Sequence, residues 1–148
     1  LVDELLLRMK GVLSIADTEQ KFVYQAVHMI FNGDFDECWA DGETRQSKLV
    51  FIGKNLDQAK LVERFNACLA TPENIEAKAA RLRFGIGDKV LCNTGDGWAR
   101  GEVVGLMYRD DLMPPGVVAP YQINLDGGNG LIWAPKDVEC VIRAADGG

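Results

Sequence analysis

The stretch from Lys21 to Phe31 constrains the fold of the first half of the chain most strongly. It contains no Gly or Pro and is rich in β-branched and aromatic side chains, a composition that favours a strand. Side chains alternate across a strand, so one face would carry Phe22, Tyr24, Ala26, His28 and Ile30, and the other Val23, Gln25, Val27, Met29 and Phe31. Because both faces are largely apolar, we expect helices of this chain to cover one and a partner to cover the other.

The neighbouring segments complete a small α+β domain over residues 1–71. Apolar residues at helical spacing predict a helix that Gly11 ends, and Asn55 and Gln58 predict the capped start of a second helix that runs to Leu69. Around Lys21–Phe31 we expect a helix at Leu1–Lys10, a strand at Val12–Ala16, a polar loop at Asn32–Ser47 and a further strand at Leu49–Ile52. This order predicts a small antiparallel sheet with helices on one face.

Several of these segments also carry a family resemblance. They are Arg8–Gly11 (RMKG), Val12–Ala16, Gln25–Met29 (QAVHM), Phe31–Gly33 (FNG) and Lys48–Leu56 (KLVFIGKNL). Together they resemble the C-terminal domain of the CobW-type GTPases, the metal chaperones of the cobalamin and zinc-delivery group. In that family a strand and most of a helix precede RMKG, so the resemblance implies an N-terminally truncated domain.

The resemblance implies a docking role and no catalysis in this chain. In the family the domain follows a GTPase domain and is thought to contact it and a client protein. We expect the contact residues to be Val23, Gln25, Val27, His28, Met29 and Phe31. The chain has neither a G-x-x-x-x-G-K-[ST] loop nor a Cys-x-Cys-Cys motif, so zinc or cobalt is expected for the parent protein and no cofactor for this part of it. Since the chain begins with Leu, we expect it to be a piece of a longer protein whose targeting signal is not visible.

Charge and cysteine content restrict the partners and the compartment. The net charge is −6, with no basic excess in either half, which argues against nucleic acid. No apolar run approaches the ~20 residues of a membrane-spanning helix, so no membrane partner is expected. Four widely separated cysteines favour a reducing compartment, cytoplasmic or organellar.

His28 and Cys38 are the candidate metal ligands of this chain. His28, the single histidine, could bind a metal or act as a switch at a domain interface, but a histidine hydrogen-bonded within a sheet is the commoner case. Cys38 ends the acidic sequence DFDEC, which could bind a soft metal transiently or form a solvated loop. Zinc sites usually combine several Cys or His ligands, so each residue alone is a weak site.

From residue 83 onward the sequence changes to short alternating segments separated by glycine-rich turns. Residues 72–82 predict a helical linker, and residues 83–148 a five-stranded barrel with strands at 88–93, 98–108, 121–125, 131–134 and 140–143. The patterns GDKV, GWARGEVV, PYQINLDGG and IWAP resemble SH3-like barrels of the Tudor kind.

Tudor relatives bind methylated Lys or Arg in an aromatic cage. The rings available here are Trp98, Tyr108, Tyr121 and Trp133, with Glu102, Asp110 and Asp126 as acidic companions. The same rings could instead fill the core of so small a barrel. Three functions stay open: a docking part of a CobW-type metal chaperone, a peptide-binding adaptor that uses the barrel, and a weak direct binder of zinc or cobalt.

Overall fold

The protein divides into two compact units, one extending to Leu69 and one beginning at Ala70. The structure, a computed structural model, describes residues 5–28 and 30–145. Each unit contains one antiparallel sheet, which confirms the predicted α+β class.

The first unit contains a four-stranded sheet and one helix. Its strands are β1 (Leu5–Ser14), β2 (Gln20–Val27), β3 (Ile30–Cys38) and β4 (Lys48–Lys54), in the order β3-β2-β1-β4. All three pairings are antiparallel. β1 and β2 therefore lie in the centre, and β3 and β4 form the two edges.

The predicted single strand Lys21–Phe31 is wrong, because the chain reverses within it. β2 ends at Val27, β3 begins at Ile30, and these two residues pair across the turn. His28 adopts a φ of 53°, and its backbone N–H donates to the carbonyl of Leu7 at 2.9 Å. A composition rich in β-branched and aromatic residues suits the two strands of a hairpin as well as one long strand. It therefore does not predict the tight turn between them.

The predicted helix Leu1–Lys10 is also wrong from Leu5 onward, where β1 replaces it; its first four residues lie outside the described part of the chain. The helical spacing comes from Leu1, Val2, Leu5, Leu6, Leu7 and Met9, but Leu7 falls where the register with β4 shifts. The predicted loop Asn32–Ser47 holds most of β3. The helix error arises because apolar residues on two faces of a strand lack simple alternation. The loop error arises because the edge strand β3 is rich in Asn, Gly, Asp and Glu, which are depleted in strands.

Two short helices follow the first sheet. Helix α1 (Gln58–Asn66) is capped by the Asp57 carboxylate, which accepts from the backbone N–H of Lys60 at 3.1 Å; the predicted cap, Asn55, lies outside the helix. Helix α2 (Pro72–Ala79) belongs to the second unit and is capped by Thr71. Within residues 5–28 and 30–145, no helix is long and apolar enough to cross a membrane.

The second unit contains all five predicted strands. They are β5 (Lys89–Asn93), β6 (Trp98–Tyr108), β7 (Ala119–Leu125), β8 (Leu131–Ala134) and β9 (Ile142–Ala144), in the order β8-β7-β6-β5-β9. In the part of the chain that the structure describes, no ladder joins β8 to β9. The predicted closure into a barrel is therefore not confirmed.

The two units differ in how much apolar surface they bury. The second unit has a core of fully buried side chains, of which the largest are Val90, Val103, Tyr121, Ile123 and Ile142. In the described residues of the first unit, the one buried apolar side chain is Ala26. The second unit thus supplies its own core, whereas the first leaves most of its apolar surface partly or fully exposed.

Arg83 fixes the chain entering the second sheet. Its Nε donates to Oδ1 of Asp137 at 2.7 Å, its backbone N–H donates to Oδ2 at 3.1 Å, and Nη2 donates to the carbonyl of Ile142 at 2.9 Å. Partial burial alone would raise the pKa of Asp137, but the hydrogen bonds from Arg83 outweigh it and hold that pKa below its ordinary value.

We expect Ile142→Ala to lower the free energy of unfolding of the second unit by about 2–5 kcal/mol, because it opens a cavity in the packed core. Urea denaturation of a Trp39→Phe background, in which the fluorescence comes from Trp98 and Trp133, measures this. Leu112→Ala, at a side chain 94% exposed, is the control and should stay within about 0.5 kcal/mol of the unchanged chain. Equal effects of the two substitutions would contradict the core described here.

We expect Asp137→Asn to lower the stability of the second unit by about 1 kcal/mol at neutral pH, through loss of the charged contact with Arg83. The carboxyl pKa is lower in the folded state, so this stabilisation is present above the unfolded pKa of about 3.9 and is lost as pH falls through the folded value. Denaturation curves from neutral to acidic pH should therefore converge for the two proteins. A constant difference at all pH values would refute the ionic contribution.

Candidate docking site

One face of the first sheet is open, and strand register defines it. Cross-strand partners share a face, and alternate residues along a strand do too. The open face consists of three rows of four residues: Asp34, Val23, Val12 and Lys48; Asn32, Gln25, Lys10 and Val50; and Ile30, Val27, Arg8 and Ile52.

The apolar side chains of the open face are exposed, with Val12 alone partly buried. Val23, Val27, Ile30, Val50 and Ile52 are all large hydrophobic residues in contact with solvent, and Val27 is 44% exposed. An antiparallel sheet that faces water normally carries polar residues on that side. Several exposed Val and Ile side chains on one sheet face are typical of a surface that another protein covers.

Charge is distributed unevenly over the open face. Its cations, Arg8, Lys10 and Lys48, lie on β1 and β4, and its one anion, Asp34, lies on β3. Next to Asp34, a shallow depression of about 390 Å³ is lined by residues that include Val23, Gln25 and Asn32. The face is therefore basic at one edge and acidic at the other.

The opposite face, which we call the aromatic face, is better covered. Phe22 and Phe35 pack edge to face with ring centroids 5.2 Å apart, and Tyr24 and Phe31 pack at 4.8 Å. Helix α1 flanks an apolar groove of about 470 Å³ at the β4 side of this face, lined by Leu49, Phe51, Leu56, Leu61, Val62 and Phe65 together with Ser47, Lys48 and Gln58. α1 thus takes the place expected of the covering helices.

The six predicted contact residues do not share one surface. Val23, Gln25 and Val27 lie on the open face. His28 occupies the turn, Phe31 stacks on Tyr24 across the aromatic face, and Met29 lies outside the described residues. Sequence reasoning missed Val50 and Ile52 because it treated β2 alone; alternation along KLVFIGK was the signal that could have found them.

His28 and Cys38 are not brought together. His28 precedes β3 and Cys38 ends it, so the eight-residue rise between Ile30 and Cys38 separates them by roughly 25 Å. Among the residues that the structure describes, no group of three His, Cys, Asp or Glu could hold a metal ion. The buried Cys92 offers no thiolate either, since burial raises the pKa of its thiol to about 11.

The four predicted cage rings occupy different environments. Tyr121 is fully buried, and its hydroxyl accepts from the backbone N–H of Phe84 at 3.3 Å. The hydroxyl of Tyr108 donates to Asp110 at 2.9 Å. Trp98 and Trp133 are exposed, but the guanidinium of Arg143 already lies 3.9 Å from the Trp98 ring centroid.

The predicted acidic companions are also occupied in part. The carboxylate of Glu102 pairs with Lys89 at 2.7 Å, and that of Asp126 lies 3.8 Å from Arg100. The Glu102 hydrogen bond raises the pKa of Lys89 and keeps its ammonium charged. Of the four rings, those of Trp98 and Trp133 are therefore the exposed ones, and Arg143 covers a face of Trp98.

Comparison with known proteins agrees with the first unit. Residues 2–69 match the family described as the cobalamin synthesis protein cobW C-terminal domain. The zinc chaperone CobW of Pseudomonas aeruginosa is 35% identical over 65 residues, which make up 44% of this chain and 17% of that protein. No solved structure matches. By sequence, residues 2–69, somewhat under half of the chain, match a cobW C-terminal domain.

Proposed function

We propose that this chain supplies the docking part of a CobW-type, GTP-dependent metal chaperone. In this function the open face of the first sheet contacts either the GTPase domain or the client protein that receives the metal. The observation that supports the proposal best is the set of exposed apolar side chains on β2 and β4, Val23, Val27, Val50 and Ile52. The cobW C-terminal match makes a metal-chaperone setting the natural one.

The energetics of the open face favour a covered state. Fully burying a Val or Ile side chain is worth ~1.5–3 kcal/mol relative to leaving it exposed. Val27 and Ile52 flank Arg8 in one row of the sheet, so an apolar partner surface could contact both while an acidic group meets the guanidinium. Apolar contact would then supply most of the affinity, and charge would orient the partner.

Under this proposal the chain itself performs no catalysis. Nucleotide binding and zinc or cobalt transfer belong to the GTPase domain of the parent protein. The nucleotide bound to that domain would change how the domain contacts the open face. For this, the nucleotide must bind two conformations of the domain with different affinity. The compartment proposed for the parent is a reducing one.

A second function is favoured by one observation in the second unit. The Arg143 guanidinium over Trp98 demonstrates that this ring accepts a cation on its face. We therefore keep peptide recognition by an SH3-like second unit as the alternative, with Trp98 and Trp133 as the contacting rings. Direct binding of zinc or cobalt through His28 or Cys38 is the third and least supported, because the two residues lie at opposite ends of β3.

For the docking function we expect the GTPase domain of a CobW-type protein, in its GTP form, to bind the chain and to slow hydrogen exchange in β2 and β4. Val27→Lys should weaken this binding roughly tenfold or more, because it places a charge in the apolar contact. Val138→Lys is the matched control, since Val138 is 41% exposed and lies in the second unit. Absence of binding, or equal loss for both variants, would count against docking through the open face.

For the alternative function, titration with methyl-lysine and methyl-arginine peptides should change the tryptophan fluorescence of a Trp39→Phe background, in which Trp98 and Trp133 report. Arg143→Ala should tighten peptide binding, because it frees the Trp98 ring from the guanidinium that now covers it. Arg100→Ala, on the same strand as Trp98, serves as control. A flat fluorescence response in every variant would rule out the cation-binding function.

A further inference from the structure

The open face of the first sheet is complementary to itself. Its cations lie on β1 and β4, its anion lies on the opposite edge strand β3, and its apolar residues occur on all four strands. A surface with opposite charges at opposite edges can pair with a copy of itself when a twofold axis brings the unlike edges together.

We propose that a second copy of this chain covers the open face, with a twofold axis that runs parallel to the strands and midway between the two sheets. This rotation places β3 of each copy opposite β4 of the other, and β2 opposite β1. The three rows keep their positions along the strands, so each residue faces a defined residue of the other copy. Sheets that pack face to face lie about 10 Å apart.

The rows then match by chemistry. In the first row Asp34 faces Lys48 of the other copy, and Val23 faces Val12. In the second row Gln25 faces Lys10, so a side-chain amide meets an ammonium, and Asn32 faces Val50 without a polar partner. In the third row Ile30 faces Ile52, and Val27 contacts the aliphatic part of Arg8. No pair in these rows brings two like charges together.

The alternative twofold axis, perpendicular to the strands, fits less well. It would place β3 over β3 and β4 over β4, so the basic edge strands of the two copies would face each other. Like charges in contact oppose association, and the ion pairs of the first arrangement would be absent. Charge therefore selects the axis parallel to the strands.

In the monomer, Oδ1 of Asp34 accepts from the backbone N–H of Phe35 at 2.8 Å, which leaves Oδ2 for this contact. The ion pairs among the described residues do not include Arg8, Lys10, Lys48 or Asp34. The three rows cover roughly 400 Å² of each sheet at the usual strand and residue spacings. Because stable complexes bury about 800 Å² per partner, the dimer is a weak one that forms as concentration rises.

This inference goes beyond the docking function and does not rest on it. Pairing covers the same face that a GTPase domain or client would contact, so self-association and docking exclude each other. When neither a GTPase domain nor a client is bound, a second copy of this chain would then cover the apolar side chains of the open face.

Sedimentation equilibrium of the 148-residue chain at increasing concentration tests the dimer. We expect Lys48→Asp and Asp34→Lys each to weaken it roughly tenfold, because each substitution puts like charges opposite each other at two symmetric contacts. The double variant restores the opposite pairing with reversed sign and should recover the dimer to within about twofold of the unchanged chain. Lys136→Asp and Asp96→Lys, both at exposed positions in the second unit, are the matched charge controls.

Ile52→Asn provides a second test that does not depend on charge. It removes the contact with Ile30 of the other copy at a position half exposed in the monomer, and circular dichroism checks that the sheet persists. We expect it to abolish association. A chain that is monomeric at every concentration, single variants that associate like the unchanged chain, or a double variant without recovery would overturn the proposal.

Discussion

The first sheet carries apolar side chains on both of its faces, but the helix described in that unit lies beside only one of them. Alternation along β2 sends Phe22, Tyr24 and Ala26 to the aromatic face, and Val23 and Val27 to the open face. Helix α1 flanks the aromatic face at its β4 side and leaves the open face in solvent. The proposed docking surface is the open face because helix α1 lies on the other side of the sheet.

The second unit is built on the opposite principle. Tyr121, Ile123, Val103 and Ile142 are fully buried, so this unit provides its own hydrophobic core. Arg83 strengthens it at the chain entry by binding Asp137 and the carbonyl of Ile142. A unit that buries its own core has less need of a partner for stability.

On the open face, apolar area and charge have separate effects. Burial of the valine and isoleucine side chains would supply the free energy of association, since exposed ion pairs contribute only about 0–1 kcal/mol each. The separation of Arg8, Lys10 and Lys48 from Asp34 determines which orientation a covering surface can adopt. The apolar residues of the open face would thus supply the attraction, and its charged residues would determine the orientation of the partner.

The sequence alone determined the α+β class, the cobW C-terminal resemblance and the five strands of the second unit, because those strands are short, alternate cleanly and end at glycine-rich turns. It did not determine the hairpin at His28 or the strand character of Leu5–Lys10, since apolar residues on both faces remove the periodicity that separates strand from helix. The grouping of Val23 and Val27 with Val50 and Ile52, and the burial of Tyr121, were decided only by tertiary structure. Register across four strands depends on pairings between residues distant in sequence, which no local pattern encodes.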